Sequence, residues 1–201
     1  MKKSIIFLIV VLTVLTLCLC ACNDPSGEMR NINSLLRDEY SKMNVTVSTE
    51  YQGYTLLDTY DLVTSDGKTN ITYEIMRFNS FEESNGNVSA PDEIVTKRKG
   101  SAVVENGKLV SVNGDPITAV ELDSLNLNMS LKLPYFENIK TPKNTFSADV
   151  VNPQGFLGVD SFDGTDLHVV IRYTESSISR IKLEYVGSSG STVTINYVFT
   201  K

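Results

Sequence analysis

From residue 29 onward the apolar positions first recur at steps of three and four, at Met29, Ile32, Leu35, Leu36, Tyr40 and Met43. That spacing lays one apolar stripe along a helix, so an amphipathic helix is predicted over 29–43, with Arg30, Arg37, Asp38 and Lys42 elsewhere on its surface. The period then falls to two. Val45 and Val47 alternate with Thr46 and Ser48, and Tyr54 to Thr64 reads as a strand ended by Ser65-Asp66-Gly67. Ile71, Tyr73 and Ile75 alternate with Thr72, Glu74 and Met76. Residues 79–93 are polar and predict a loop, neither long nor biased enough to be a domain linker.

Asn106-Gly107, between Ala102-Val103-Val104 and Lys108-Leu109-Val110, predicts a tight hairpin, and Asn113-Gly114 a second turn. In LDSLNLNMSLKLP every second residue from Leu125 to Leu133 is apolar: Leu125, Leu127, Met129, Leu131 and Leu133. A helix would scatter these five around its surface, whereas a strand gathers them on one face, so a strand is predicted. Residues 134–139 and 152–158 each suggest a single helical turn, with a strand at Phe146 to Val151 between them. Three strands close the chain, with Leu167, Val169, Ile171 and Tyr173 on one face, then Ile181, Leu183 and Tyr185, then Val193, Ile195, Tyr197 and Phe199. The fold class implied is mostly β (α+β). We expect a single curved antiparallel sheet or half-open β-barrel of roughly eight to ten strands, with one N-terminal amphipathic helix and short helical turns.

The first 28 residues obey different rules. Lys2 and Lys3 precede an apolar run from Ile5 to Leu19, interrupted by Thr13 and Thr16, and polar residues begin at Asn23. This is the order of a bacterial secretory signal. All three cysteines, Cys18, Cys20 and Cys22, lie within it. Leu19-Cys20-Ala21-Cys22 resembles the lipobox of bacterial lipoproteins. The resemblance implies cleavage after Ala21, a diacylglyceryl thioether on Cys22 and an acyl chain, such as palmitate, on the new amine. Two or more chains anchor a protein stably where one would not. The expected organisation is a signal peptide over 1–21, a lipidated cysteine and flexible tether over 22–28, and a single β-rich domain over 29–201. An uncleaved helix over Ser4 to Ala21, or a signal cut elsewhere, are the alternatives. Each places the bulk of the chain outside the cytoplasm, and the lipobox implies a cell-membrane location through the lipid.

Residues 1–21 hold two lysines and no acid, so residues 22–201 carry 16 cationic residues against 24 acidic ones, a formal charge of −8. Nucleic-acid binding rests on cations neutralising phosphates, and the sequence has no such footprint. Lys97-Arg98-Lys99 reads as a solvated strand edge. His168 is the one histidine, flanked by Leu167 and Val169, and its neighbours Thr165, Asp166 and Arg172 offer no nucleophile. One histidine and a lipidated cysteine cannot make a zinc site, and no glycine-rich phosphate loop precedes a helix. Asp160, Asp163 and Asp166 lack the spacing of a calcium loop and read as a solvated turn. Tyr51, Tyr54 and Tyr60 could form an aromatic platform for sugars, with core packing as the competing fate. No catalytic residue, metal or cofactor is expected.

The segment NINSLLRDEYSKM, the alternating LNLNMSLKL, the Asn-Gly-Asp turn and the closing three-strand meander resemble the half-open barrel of bacterial lipoprotein carriers, the LolA-like fold. In that family the ligand lies against the concave apolar face. The resemblance implies a non-enzymatic envelope lipoprotein that binds a lipid-like or other apolar ligand. The residues expected to line its site are Leu125, Leu127, Met129, Leu131 and Leu133, with Tyr173, Tyr185 and Tyr197 at its mouth. A closed core would show the same pattern, and the two readings stand side by side. The alternatives in function are a tethered module that meets a protein or cell-wall partner and, third, a carboxylate-based hydrolase.

Overall fold

The computed structural model describes residues 24–38, 40–52, 54–77, 83–84, 87–88, 96–118, 121–122, 124–125 and 127–201. The signal-like segment and Cys22 lie outside the described residues. Helix α1 runs from Pro25 to Leu35, succeeded by strands β1 (Lys42–Tyr51), β2 (Tyr54–Ser65) and β3 (Lys68–Arg77). A small hairpin, β4 (Glu83–Ser84) and β5 (Asn87–Val88), precedes β6 (Thr96–Glu105) and β7 (Lys108–Gly114). After a 3-10 turn at Leu133–Tyr135 come β8 (Phe136–Lys140), β9 (Thr145–Val150), helix α2 (Pro153–Leu157), β10 (Gly164–Tyr173), β11 (Ile178–Gly187) and β12 (Thr192–Thr200).

Ten of these strands form one curved, unclosed antiparallel sheet in the order β7-β6-β3-β2-β1-β12-β11-β10-β9-β8. The first and last strands of the chain's β run pair with each other at its centre, and two meanders spread outward from that seam. The mostly-β single curved sheet expected from the alternation is therefore what forms. One row across its concave face shows how period two builds the core: Phe146, Ile171, Ile181, Tyr197, Val45, Tyr60 and Tyr73 lie side by side in register. All seven are buried. At the end of the row Tyr73 faces Gly100, where an added Cβ would come within 2.7 Å of the Tyr73 hydroxyl. Glycine there leaves room for that hydroxyl to donate to the Asp115 carbonyl, which ties the chain leaving β7 to the sheet.

Among the described residues, two elements cover the concave face. The first is α1, which buries Met29, Ile32 and Leu35. It is shorter than the 29–43 predicted and starts earlier. Asp24 caps its N-terminus by accepting from the Ser26 amide, with Pro25 in the first turn where proline is best tolerated. Pro25 to Glu28, expected as tether, are thus helical. The helix stops because Tyr40 is used otherwise: its hydroxyl donates to the Leu35 carbonyl at 2.9 Å and accepts from the Ile178 amide at 3.0 Å. Met43, counted in the helical stripe, belongs to β1.

The second covering element is the segment from β7 to β8, which crosses from one edge of the sheet to the other. Its described residues include Leu125 and Leu127 to Leu133, all within the predicted strand. Leu125 lies in a turn, its amide bonded to the Leu122 carbonyl, Leu133 opens the 3-10 turn, and the described residues between them pair with no strand. The segment's backbone is held by a side chain instead: Asn33 of α1 donates to the Leu131 carbonyl and accepts from the Leu131 amide, both at 2.8 Å. Ser130 donates its amide to the Phe156 carbonyl at 2.9 Å. Asn33→Ala strands two backbone groups at once, and the expected loss is about 2 kcal/mol. Chemical denaturation, with Asn33→Asp as a partial substitute that keeps only the acceptor, checks this.

Candidate functional site

Between the crossing segment and the β1-β2-β3-β6-β7 half of the sheet lies a cavity of about 510 Å³. The sheet supplies Met43, Leu62, Ile71, Val104 and Leu109 to its wall, each at an inward position of the alternation. Leu122, Leu125 and Leu127 of the crossing segment close the other side, with Leu36 and Phe199 at the end nearest α1. Polar groups, Asp38, Tyr40, Thr64 and Thr69, gather at that same end. Thr64 and Thr69 bond to each other through their hydroxyls at 3.0 Å. An apolar cavity of this size with a few polar groups at one end suits a small amphiphilic ligand.

The residues expected to line a site divide. Leu125 and Leu127 face the cavity. Met129 turns instead into a shallow depression on the far side of Leu36 and Leu127, beside Arg37 and Lys132. Leu131 is core, and Leu133 is 46% exposed. None of the three tyrosines lines the cavity. Tyr173 is buried and donates to a carboxylate oxygen of Glu28 at 2.6 Å. Burial, and then the Glu28 carboxylate, push its phenol well above the ordinary range. Tyr197 sits in the central core row, where burial pushes it up to about 12. Tyr185 lines a second, smaller depression at the opposite end of the sheet, edge-on to Phe162 at 5.0 Å. The cavity residues missed from the sequence, Met43, Leu62, Ile71, Val104 and Leu109, are inward positions of strands. Nothing local marks them as cavity wall rather than core.

Two other readings change. Arg98 does not lie on a solvated edge: it reaches over the concave side to Glu121 and the Pro116 carbonyl, and the Arg98 and Glu121 side chains are largely buried. Lys97 does lie in solvent, paired with Glu74 at 2.8 Å. Of the proposed aromatic platform, Tyr60 is in the core, whereas Tyr51 and the exposed Tyr54 face each other across β1 and β2. Asp160, Asp163 and Asp166 form no cluster able to hold a metal among the described residues.

His168 has a nucleophile beside it after all. Ser147 Oγ lies 3.1 Å from His168 Nε2, and Asp149 Oδ1 lies 2.7 Å from Nδ1. The ionised carboxylate can only accept, so it fixes the proton on Nδ1 and leaves Nε2 to accept from Ser147. Asn138 donates to the other Asp149 oxygen, and this bond, then His168, holds the carboxyl below its ordinary value. Ser147 and Asp149 are 21 and 19 residues from His168 and reach it only through the β9–β10 register, so proximity in sequence could not reveal them. The connectivity is that of nucleophile, base and orienting acid. Acyl transfer also needs donors aimed at the developing oxyanion and a site shielded from water. The row instead lies half-exposed on the polar face, on the interior strands β9 and β10, whose backbones are engaged in ladders on both sides.

No protein-family model matches the chain, and no curated protein matches it. Among the described residues no helix is long and apolar enough to cross a membrane.

Proposed function

We propose that the chain is a non-enzymatic cell-envelope lipoprotein that binds a lipid-like ligand in the cavity beneath the crossing segment. The observation that carries this reading is the cavity itself. About 510 Å³ remains between inward-facing Leu62, Ile71, Val104 and Leu125, at positions where a core would close. The N-terminal arrangement agrees with a lipid on Cys22. Asp24 begins the capped helix only two residues later, and Glu28 in its first turn bonds Tyr173 at the end of the sheet where the cavity's polar groups lie. At about 3.5 Å per residue, an acylated Cys22 would hold this end against the bilayer.

The test is native mass spectrometry of the full chain taken from its own envelope, compared with the denatured protein. A bound species that leaves on denaturation is expected, and Val104→Trp, which fills the cavity, should abolish it without lowering the melting temperature appreciably. Leu62→Trp is the second filling variant. An empty wild-type cavity, or a ligand retained by both variants, overturns the proposal. One observation favours the second reading, a tethered module with a protein partner. The edge strand β7 presents Leu109, Val110 and Val112 exposed on an edge with no partner among the described residues, the arrangement that strand addition uses.

A further inference from the structure

If the cavity binds a lipid-like ligand, on which the present inference rests, its shape and surroundings also select which amphiphile enters. We propose a single-chain amphiphile with a hydroxyl-bearing head that carries no negative charge, its chain in the cavity and its head in the adjoining depression beside Asp38 and Asp66. The volume limits the chain. A methylene is about the size of a water molecule, roughly 30 Å³ in the liquid, so the cavity holds on the order of a dozen or more carbons. That matches a single acyl chain of ordinary length.

The surroundings of the opening select the head. The cavity shares Asp38, Tyr40 and Thr64 with a polar depression that continues over Ser41, Ser65, Asp66 and Lys201. The cation among these residues is already engaged: Lys201 Nζ lies 2.8 Å from Asp38 and also donates to the Ser176 carbonyl. Two carboxylates against one paired ammonium leave this depression net negative, which disfavours a carboxylate or phosphate head. Three further lysines adjoin cavity-lining residues of β1, β3 and β7, but period two turns them away. Lys42, Lys68 and Lys108 adjoin Met43, Thr69 and Leu109, which face the cavity, so the lysines occupy the opposite face. Lys68 is also paired with Glu105 at 2.7 Å. Arg37 and Lys132 line the separate depression beyond Leu36 and Leu127. What remains to meet a head are carboxylate acceptors and serine and threonine hydroxyls, which match hydroxyl groups on a sugar or glycerol.

The full chain in lipid nanodiscs is offered three photoreactive twelve-carbon chains, with glucosyl, carboxylate and trimethylammonium heads, and crosslinks on cavity-lining peptides are quantified by mass spectrometry. The glucosyl probe is expected to label the cavity at least tenfold more than the carboxylate and more than the ammonium. Asp38→Asn with Asp66→Asn should narrow the gap to the carboxylate severalfold. Equal or stronger labelling by the carboxylate overturns the inference, and its loss with Arg37→Gln would place the head in the opposite depression. Stronger labelling by the ammonium overturns it also. If no probe labels the cavity, or if Val104→Trp leaves all labelling unchanged, the ligand-binding reading itself has failed.

Discussion

Phe156→Ala will lower the stability of this protein by about 3–5 kcal/mol. Phe156 is fully buried and packs edge-on to Phe136, with ring centroids 5.2 Å apart. Phe136 makes the same contact with Phe146 at 5.4 Å, so the substitution removes the outer member of a three-ring cluster. The helix α2 that presents Phe156 is too short to persist by itself. Asn152 caps it by accepting from the Gly155 amide, and Gly158 ends it at φ +68°. A Cβ at 158 would come within 2.9 Å of the Asn128 carbonyl, so the turn and the crossing segment are packed together through that glycine. The Phe156 carbonyl in turn accepts from Ser130. Truncation therefore leaves a cavity whose walls are fixed from both sides, which puts the cost at the upper part of the range. A drop in melting temperature of about 10 °C is expected by calorimetry. Phe156→Leu, which keeps most of the volume, should recover more than half of it. A loss below about 1 kcal/mol would mean that the cluster is loosely packed.

How far these features were legible in the sequence depends on whether the signal is local. The sheet was legible, because Leu167 to Tyr173 and Val193 to Phe199 carry their burial in a two-residue period that no other structure satisfies. The helix was legible as a stripe but not in its limits. Tyr40 and Met43 fit the three-and-four spacing, yet Tyr40 is drawn off by Leu35 and Ile178, and Met43 by pairing with Phe199 and Leu62. The segment from Leu125 to Leu133 has the alternation of a strand without a partner strand. Periodicity does not report where backbone groups bond, and here Asn33 takes the place of a neighbouring ladder while Met129 and Leu133 leave the shared face. The cavity and the Ser147–His168–Asp149 row depend on register across distant strands, which composition and spacing do not encode. One missed signal was readable: Thr118 and Glu121 have the spacing of a capping box. They make its reciprocal bonds, Thr118 amide to Glu121 carboxylate at 2.9 Å and Glu121 amide to Thr118 hydroxyl at 3.2 Å.

That box positions the second large effect. Arg98→Ala will cost about 2–3 kcal/mol and loosen the crossing segment selectively. Arg98 of β6 bonds both Glu121 and the Pro116 carbonyl, and Glu121 is only 9% exposed. Removing the guanidinium takes away the cation that faces this buried carboxylate and leaves it to the Thr118 donors. Hydrogen exchange should then rise at Leu122 and Leu125, which roof the cavity, before it rises in the β1–β12 seam. Burial by itself would raise the Glu121 carboxyl, but the Thr118 and Arg98 hydrogen bonds outweigh it and hold the group below the ordinary glutamate value. A group depressed in the folded state contributes its stability in full above the unfolded value and loses it as pH falls through the folded one. Acid should therefore open the segment below about pH 4.5, the ordinary glutamate value. In Arg98→Ala, where the carboxyl is held down less, that acid-dependent loss should be smaller. Arg98→Met with Glu121→Leu removes both charges and keeps the bulk, and it should restore most of the stability while abolishing the acid step. If the acid step survives in this double variant, carboxylates other than Glu121 release the segment.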